Sequence, residues 1–143
     1  MATSFQVTFD AHDPMALAEF WADALGYIVQ PPPPGFDSWD AWMDEMDFAE
    51  EDRNNKAAIV DPDGTSPRIL FIKVPEDKAV KNRVHLDVNL TTPGTPEEER
   101  TRVVDAAVER LTALGARPWE RRSEFGHSWF VMYDPEGNEF CLQ

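Results

Sequence analysis

The second half of this chain repeats the order of motifs found in its first half. Each half contains an alternating apolar stretch, a segment with helical periodicity that ends in Leu-Gly, and a turn of the form Asp-Pro-acidic-Gly. The stretches QVTFDA and HLDVNL begin the two halves, and IVDPDG and YDPEGNEF contain the two turns. The largest insertion covers roughly residues 31–56. We therefore predict an α+β fold with two tandem βαβββ modules, at about 4–74 and 82–143, within one domain of residues 1–143.

The predicted strands alternate apolar and polar side chains. The apolar positions are Phe5, Val7 and Phe9 in the first strand and Val84, Leu86, Val88 and Leu90 in the matching strand of the second half. Successive side chains of a strand point to opposite faces of a sheet, so each sheet should have one apolar face and one polar face. We expect the apolar face to pack against the helices and the polar face to line a concave surface.

Two long helices should cover the apolar faces. The first is predicted to begin at Asp13 as N-cap with Pro14 in its first turn, and to end at Gly26. Thr95 and Glu98 have the spacing of a capping box for the second helix, which should end at Gly115. Its buried stripe is predicted to consist of Val104, Ala107, Val108, Leu111 and Leu114.

The insertion in the first half contains a short amphipathic segment. Trp39, Trp42, Met43 and Met46 follow one another at helical spacing, and the polar residues 50–55 behind them predict a loop. Because this segment lies in an insertion, we consider two interpretations: an apolar lid over residues 36–48 that contacts a ligand through Trp39 and Trp42, or a satellite hydrophobic cluster.

Composition limits the partners of the chain. Only 13 basic residues stand against 27 acidic ones, which gives a net charge of −14 and argues against nucleic-acid binding. The N-terminal sequence lacks the pattern of a secretory signal, and no apolar stretch is long enough to cross a membrane. Cys141 is the single cysteine, so an intrachain disulfide is excluded. We expect an acidic cytoplasmic protein with a small-molecule ligand and no membrane or nucleic-acid partner; a homodimer stays open.

Two further strings carry a family resemblance. KNRVHLDV at residues 81–88 and DPEGNEFCLQ at residues 134–143, together with the two Leu-Gly helix ends, resemble the glyoxalase-like, bleomycin-resistance-related members of the vicinal-oxygen-chelate (VOC) superfamily. The resemblance implies that each module forms a half-open sheet and that two modules together make a cup. In metal-dependent members, each module supplies one ligand from its first strand and one, usually glutamate, from its last strand.

The resemblance assigns four ligand positions to this chain. The first falls on Gln6, the second on Ile72, the third on His85 and the fourth on Cys141. Catalytic divalent sites usually have three protein ligands, and isoleucine cannot bind a metal. We therefore expect no metal cofactor, although zinc, nickel or iron held by Gln6 and His85 with help from Cys141 stays open.

Other side chains on the polar faces are candidates for ligand contact or catalysis. His85 and Glu139 are candidate general bases, and Gln6, Asp87, Trp129 and Cys141 are candidate ligand contacts. Each has a structural alternative: a hydrogen-bonded row of His85 with its neighbours, a structural partner role for Glu139, core packing of Trp129, and a buried unreactive thiol at Cys141.

Three functions remain open from the sequence. The first is a binding protein of the bleomycin-resistance type that holds a small molecule in an aromatic-lined cup. The second is a VOC metalloenzyme, either a lyase, an isomerase or a dioxygenase, acting on a small oxygenated substrate. The third is a metal-free enzyme that uses His85 or Glu139 as general base. The incomplete ligand set favours the binding protein, and the sequence does not decide whether the chain is an enzyme.

Overall fold

A computed structural model describes all 143 residues, which form two compact units, Met1–Glu76 and Asp77–Gln143. Each unit has the order strand, helix, three strands, and its strands form one four-stranded sheet; the first unit has one additional short helix between its second and third strands. The predicted α+β class with two tandem βαβββ modules is thus confirmed. None of the helices combines the length and the apolar character that crossing a bilayer requires.

The first unit is a mixed sheet covered by one long helix. Its elements are β1 (Val7–Ala11), α1 (Pro14–Leu25), β2 (Ile28–Val29), α2 (Trp39–Glu45), β3 (Lys56–Val60) and β4 (Ile69–Lys73). The strand order is β1-β4-β3-β2, with β1 parallel to β4. Trp21 of α1 is fully buried together with Ile59 and Phe71 of the sheet. Helix α1 therefore covers the apolar face, as the alternation predicts.

Local signals set the ends of α1. The Asp13 carboxylate accepts a hydrogen bond from the Ala16 backbone N–H at 3.1 Å, and Pro14 occupies the first turn. Gly26 ends the helix in the left-handed region with φ of 71°, where a side chain would be strained. Both predicted ends are confirmed, and so is the short helix predicted from Trp39 onward, which is α2.

The second unit repeats this arrangement. Its elements are β5 (Leu86–Val88), α3 (Glu97–Ala113), β6 (Arg117–Glu124), β7 (His127–Tyr133) and β8 (Glu139–Leu142), with strand order β5-β8-β7-β6. Helix α3 contacts β6, β7 and β8. Its buried Leu111 lies on the side of the sheet where Met132 and Phe140 are also fully buried. The other face of this sheet carries the site described below.

The predicted capping box at Thr95 is wrong. Helix α3 begins at Glu97 with Pro96 as N-cap, and no side chain caps it. The Thr95 hydroxyl instead donates to the Thr92 carbonyl at 2.8 Å, within a turn that the Thr95 backbone N–H also closes. Three glutamates in the first turn, Glu97, Glu98 and Glu99, provide negative charge at the positive end of the helix dipole.

Three other local predictions are wrong at the ends of elements, and the first concerns Phe5, which precedes β1 and is 70% exposed. Val84 is 78% exposed because β8 begins only at Glu139, so β5 has no strand partner before Leu86. Leu114 is exposed because α3 ends at Ala113 and the next residue leaves the helical conformation. Within the predicted loop at residues 50–55, Glu50–Asp52 form a single 3₁₀ turn, which is consistent with a loop.

Candidate functional site

The strand register of the second unit places a set of side chains on the face away from α3. Val131 pairs with Cys141, Tyr133 with Glu139, and Asp87 with Cys141. Paired residues project from the same face of a sheet. Met132 and Phe140 also pair with each other, but they alternate with the residues named above and so point to the opposite face. Both are buried on the side of the helix. Trp129, two residues before Val131, therefore shares the face of Cys141.

This face forms an open cavity of about 360 Å³. Five of the residues singled out in the sequence line it: His85, Asp87, Trp129, Glu139 and Cys141. Five others complete its lining: Lys81, Trp119, Arg122, Val131 and Gln143. The cavity thus combines two tryptophan rings with imidazole, carboxylate, thiol and basic groups, all from the second unit.

His85, Asp87 and Cys141 form a compact cluster in this cavity. The His85 Nε2 atom lies 3.3 Å from the Asp87 Oδ1 atom, and one ligand atom from each of the three residues lies within 4.8 Å of the others. Cys141 is buried, whereas His85 and Asp87 are partly open to solvent. Burial, the negative charge of Asp87 and a hydrogen bond to Asp87 raise the pKa of the Cys141 thiol to about 11. The thiol is therefore protonated at neutral pH.

Glu139 is occupied by two hydrogen bonds. Its Oε1 atom accepts from Lys78 Nζ at 3.0 Å, and its Oε2 atom accepts from the Asn82 backbone N–H at 3.0 Å. Burial opposes ionisation, but these bonds outweigh it and keep the pKa of Glu139 below its ordinary value. A carboxylate bound in this way is a poor proton acceptor, and it fixes the segment that leads to Lys81 and His85.

Trp119 also lines the cavity, although the alternation of apolar and polar residues in the sequence did not predict it. The β6–β7 register shifts between Pro118 and Glu120, so Trp119 lies in a β-bulge. Its ring stacks on Tyr133 with centroids 5.4 Å apart, and the Arg122 guanidinium lies 5.2 Å from the Trp119 ring centre. Pro118 within an otherwise regular strand was the one signal for the bulge, because proline interrupts ladder pairing.

The other candidate residues lie in the first unit. The Gln6 Oε1 atom accepts a hydrogen bond from Arg68 Nη1 at 2.9 Å. Trp39 and Trp42 are half-buried and pack edge to face with centroids 5.6 Å apart. Trp39 also donates to the Gln30 carbonyl at 2.7 Å. These two rings form a local cluster within the insertion.

The first unit does not fit the metal ligands that the family resemblance implies. Thr8 pairs with Leu70 in the same way as Asp87 pairs with Cys141, so Leu70, and not Ile72, is the counterpart of Cys141. Neither side chain can bind a metal. The oxygen of Gln6, the remaining candidate, already accepts from the positively charged Arg68. A cation at that oxygen would have to displace a guanidinium group, so the family's four-ligand arrangement is not present in these residues.

Comparison with known proteins agrees with this fold. A family model described as a glyoxalase-like domain matches residues 6–143. No curated protein matches the chain in sequence. Among solved structures, a variant of the fosfomycin resistance protein FosX from Listeria monocytogenes, complexed with Mn(II) and 1S,2S-dihydroxypropylphosphonic acid, matches with a TM-score of 0.65 and 13% identity; the match covers 100% of this chain and 92% of that chain.

Two further structures match at similar levels. A glyoxalase/bleomycin resistance protein/dioxygenase family enzyme from Burkholderia phytofirmans has a TM-score of 0.62 and 17% identity, over 96% of this chain and 94% of that one. A possible glyoxalase from Bacillus cereus has a TM-score of 0.61 and 17% identity, over 100% and 99%. At these identities the likeness establishes the fold. The family model, which spans nearly the whole sequence, shows that the chain belongs to the glyoxalase-like domain family.

Proposed function

We propose that the protein binds a small organic molecule in the cavity of its second unit. The observation that carries this proposal is the convergence of Trp119 and Trp129 with the polar groups of His85 and Arg122 on one open cavity. Small-molecule sites in proteins are concave, with apolar or aromatic walls and a few polar groups that orient the ligand. The matched FosX structure holds a small oxygenated phosphonate, which supports a ligand of comparable size.

The lining favours a ligand with a flat apolar part and an oxygen-bearing polar group. The tryptophan rings offer apolar contact, and Lys81 and Arg122 can donate hydrogen bonds to an oxygen. The family model spans residues 6–143, which supports one functional domain of residues 1–143. Trp39 and Trp42 belong to a cluster of their own, so we assign them to packing within the first unit.

A metal-free enzyme is the second candidate, and His85 is the residue that favours it. Its imidazole lines the cavity, is 41% exposed and lies beside the Asp87 carboxylate, an arrangement that can orient the ring for proton transfer. Glu139 is the weaker candidate base, because both of its oxygens already accept hydrogen bonds. The test is the variant His85→Gln. If the protein converts a bound ligand, and the variant still binds this ligand but no longer converts it, the result would favour the metal-free enzyme.

Ligand screening with matched variants tests the binding proposal. Small oxygenated aromatic and aliphatic compounds would be screened by ligand-observed NMR, and hits would be measured by quenching of tryptophan fluorescence. We expect Trp129→Leu and Arg122→Met to weaken binding about tenfold or more, which corresponds to about 1.4 kcal/mol. Phe125→Ala is the control, because Phe125 belongs to the same unit, is 98% exposed and does not line the cavity. Ligands that bind equally to the wild type, to Trp129→Leu, to Arg122→Met and to the control variant would contradict the proposal.

A further inference from the structure

We propose that His85, Asp87 and Cys141 form a zinc site contained in the second unit, with its open coordination position facing the cavity. The donor set differs from the one that the family resemblance implies, because Asp87 occupies none of the four assigned positions. The proposed site also departs from the sequence-based expectation that no metal is bound, because that expectation considered ligands only at the four positions that the family resemblance implies. The inference does not depend on the organic ligand proposed above.

The distances within the cluster are close to those of a coordination sphere. Zinc binds nitrogen and oxygen at about 2.0–2.1 Å and sulfur at about 2.3 Å in a tetrahedron, which places neighbouring donor atoms roughly 3.3–3.7 Å apart. The His85 Nε2 and Asp87 Oδ1 atoms are already 3.3 Å apart, and all three donors lie within 4.8 Å of one another. The three donor atoms are therefore near the separations that one tetrahedral ion requires.

The backbone holds two of the donors in place. Asp87 and Cys141 are in register on the neighbouring parallel strands β5 and β8, so their side chains leave the sheet side by side. His85 precedes Asp87 by two residues and lies just outside β5. The carboxylate and the thiol are therefore fixed by the sheet, while the imidazole keeps the freedom to complete the site.

The donor chemistry selects the metal. Imidazole nitrogen and thiolate sulfur favour zinc over magnesium and calcium, which prefer oxygen ligands. Three protein ligands with a fourth open position are typical of reactive zinc sites. The Cys141 thiol lies beside the Asp87 carboxylate, and a zinc ion would take the place of the thiol proton, since a coordinating thiol is deprotonated by the metal. The open position would face the cavity that Trp129 and Arg122 also line.

Cobalt substitution tests the site without any assumption about activity. The protein, purified without chelator and then stripped of metal, would be titrated with Co²⁺, which gives a near-ultraviolet charge-transfer band when bound to a thiolate. We expect saturation at about one ion per chain and displacement of the cobalt by zinc. Cys141→Ser should lose the band. Asp87→Asn and His85→Gln should each weaken cobalt binding by at least about tenfold, because each removes a direct ligand.

Gln6→Ala is the matched comparison for the family's ligand pattern. Binding should be unchanged in this variant, because all three proposed ligands belong to the second unit; a loss as large as that of Asp87→Asn would overturn the proposal. Cadmium NMR of the unmodified protein gives a readout that does not depend on the folding of variants. A resonance typical of one sulfur with nitrogen and oxygen ligands supports the site. A resonance typical of oxygen ligands alone, or a cobalt band that persists in Cys141→Ser, overturns it.

Discussion

Asp87 lies directly opposite Cys141 on the neighbouring parallel strand, and a carboxylate oxygen of Asp87 and the Cys141 sulfur lie within 4.8 Å of each other. Asp87 belongs to the motif string at residues 81–88 and Cys141 to the string at residues 134–143. The pair therefore brings together two segments that are far apart in the sequence. Asp87 adds to the effect of burial on the pKa of the thiol, and the two residues are two of the three proposed zinc ligands. The first prediction concerns the thiol alone.

Cys141 should react slowly with alkylating reagents at neutral pH. Its pKa of about 11 leaves very little thiolate, which is the reactive form. Asp87→Asn should lower this pKa and speed the reaction, because the variant removes a negative charge that opposes ionisation. Burial is the largest cause of the shift and persists, so the pKa should stay above its ordinary value. Rates of iodoacetamide modification against pH, in the metal-free protein, measure both effects; equal profiles would contradict the assigned role of Asp87.

Glu139→Gln should destabilise the second unit, and the loss should depend on pH. The buried carboxylate accepts from Lys78 and from the Asn82 backbone, so we expect a cost of about 1–3 kcal/mol near pH 7. Because its pKa is lowered in the folded state, the stabilisation is complete above the ordinary value of 4.5 and is lost as the pH falls through the folded-state pKa.

Urea denaturation of both proteins between neutral and acidic pH measures this difference. Glu120→Gln is the control, because Glu120 forms a solvent-exposed pair with Arg122 and should cost no more than about 1 kcal/mol. A difference between wild type and Glu139→Gln that stays constant down to acidic pH would show that the carboxylate charge contributes nothing to folding.

Two tryptophans should respond very differently to truncation. Trp21 is buried in the first unit, and Trp21→Ala should cost about 3–5 kcal/mol because it leaves a large void. Trp119 is 46% exposed at the cavity wall, so Trp119→Ala should cost far less stability while weakening ligand binding. Chemical denaturation together with ligand titration separates these effects, and a Trp119 variant as unstable as the Trp21 variant would refute this division.

The two candidate helix caps should also differ. Asp13→Ala should destabilise the protein by about 1 kcal/mol, because the carboxylate caps α1. Thr95→Ala should cost less, because the Thr95 side chain bonds within the preceding turn and does not cap α3. Thermal unfolding of the two variants gives the comparison, and an equal loss would show that Thr95 stabilises the helix after all.

The fold was predictable because its signals are local and repeated. Alternation in the strands, the cap at Asp13 and the stop at Gly26 each act within a few residues, and the duplication made them consistent between the two halves. The approach of Asp87 to Cys141 was not predictable in this way, since it depends on the register between strands from opposite ends of the second unit. The matching register in the first unit places Leu70, and not Ile72, at the second ligand position that the family resemblance implies.

Long side chains and strand irregularities account for the remaining differences. The contact of Arg68 with Gln6 is made by the end of a flexible side chain, which periodicity cannot locate. Trp119 reaches the cavity wall through a bulge, and a regular strand pattern gives no indication of its direction. Val84 follows the alternation perfectly but lies beyond the end of its partner strand.

The bulge at Trp119 also decides which basic side chains face the cavity side of the sheet. Arg117 and Arg122 are an odd number of positions apart, so an uninterrupted strand would point them in opposite directions. With the extra residue, Arg117 lies over Tyr133 at 4.3 Å from its ring centre while Arg122 lies over Trp119, and Arg121 turns toward Asp105 of α3. Relatives that lose the one extra residue would keep both arginines opposite the same partners and would lose the Trp119 ring from the cavity wall, so a change of length at this point would alter the aromatic surface of the cavity and leave its charge unchanged.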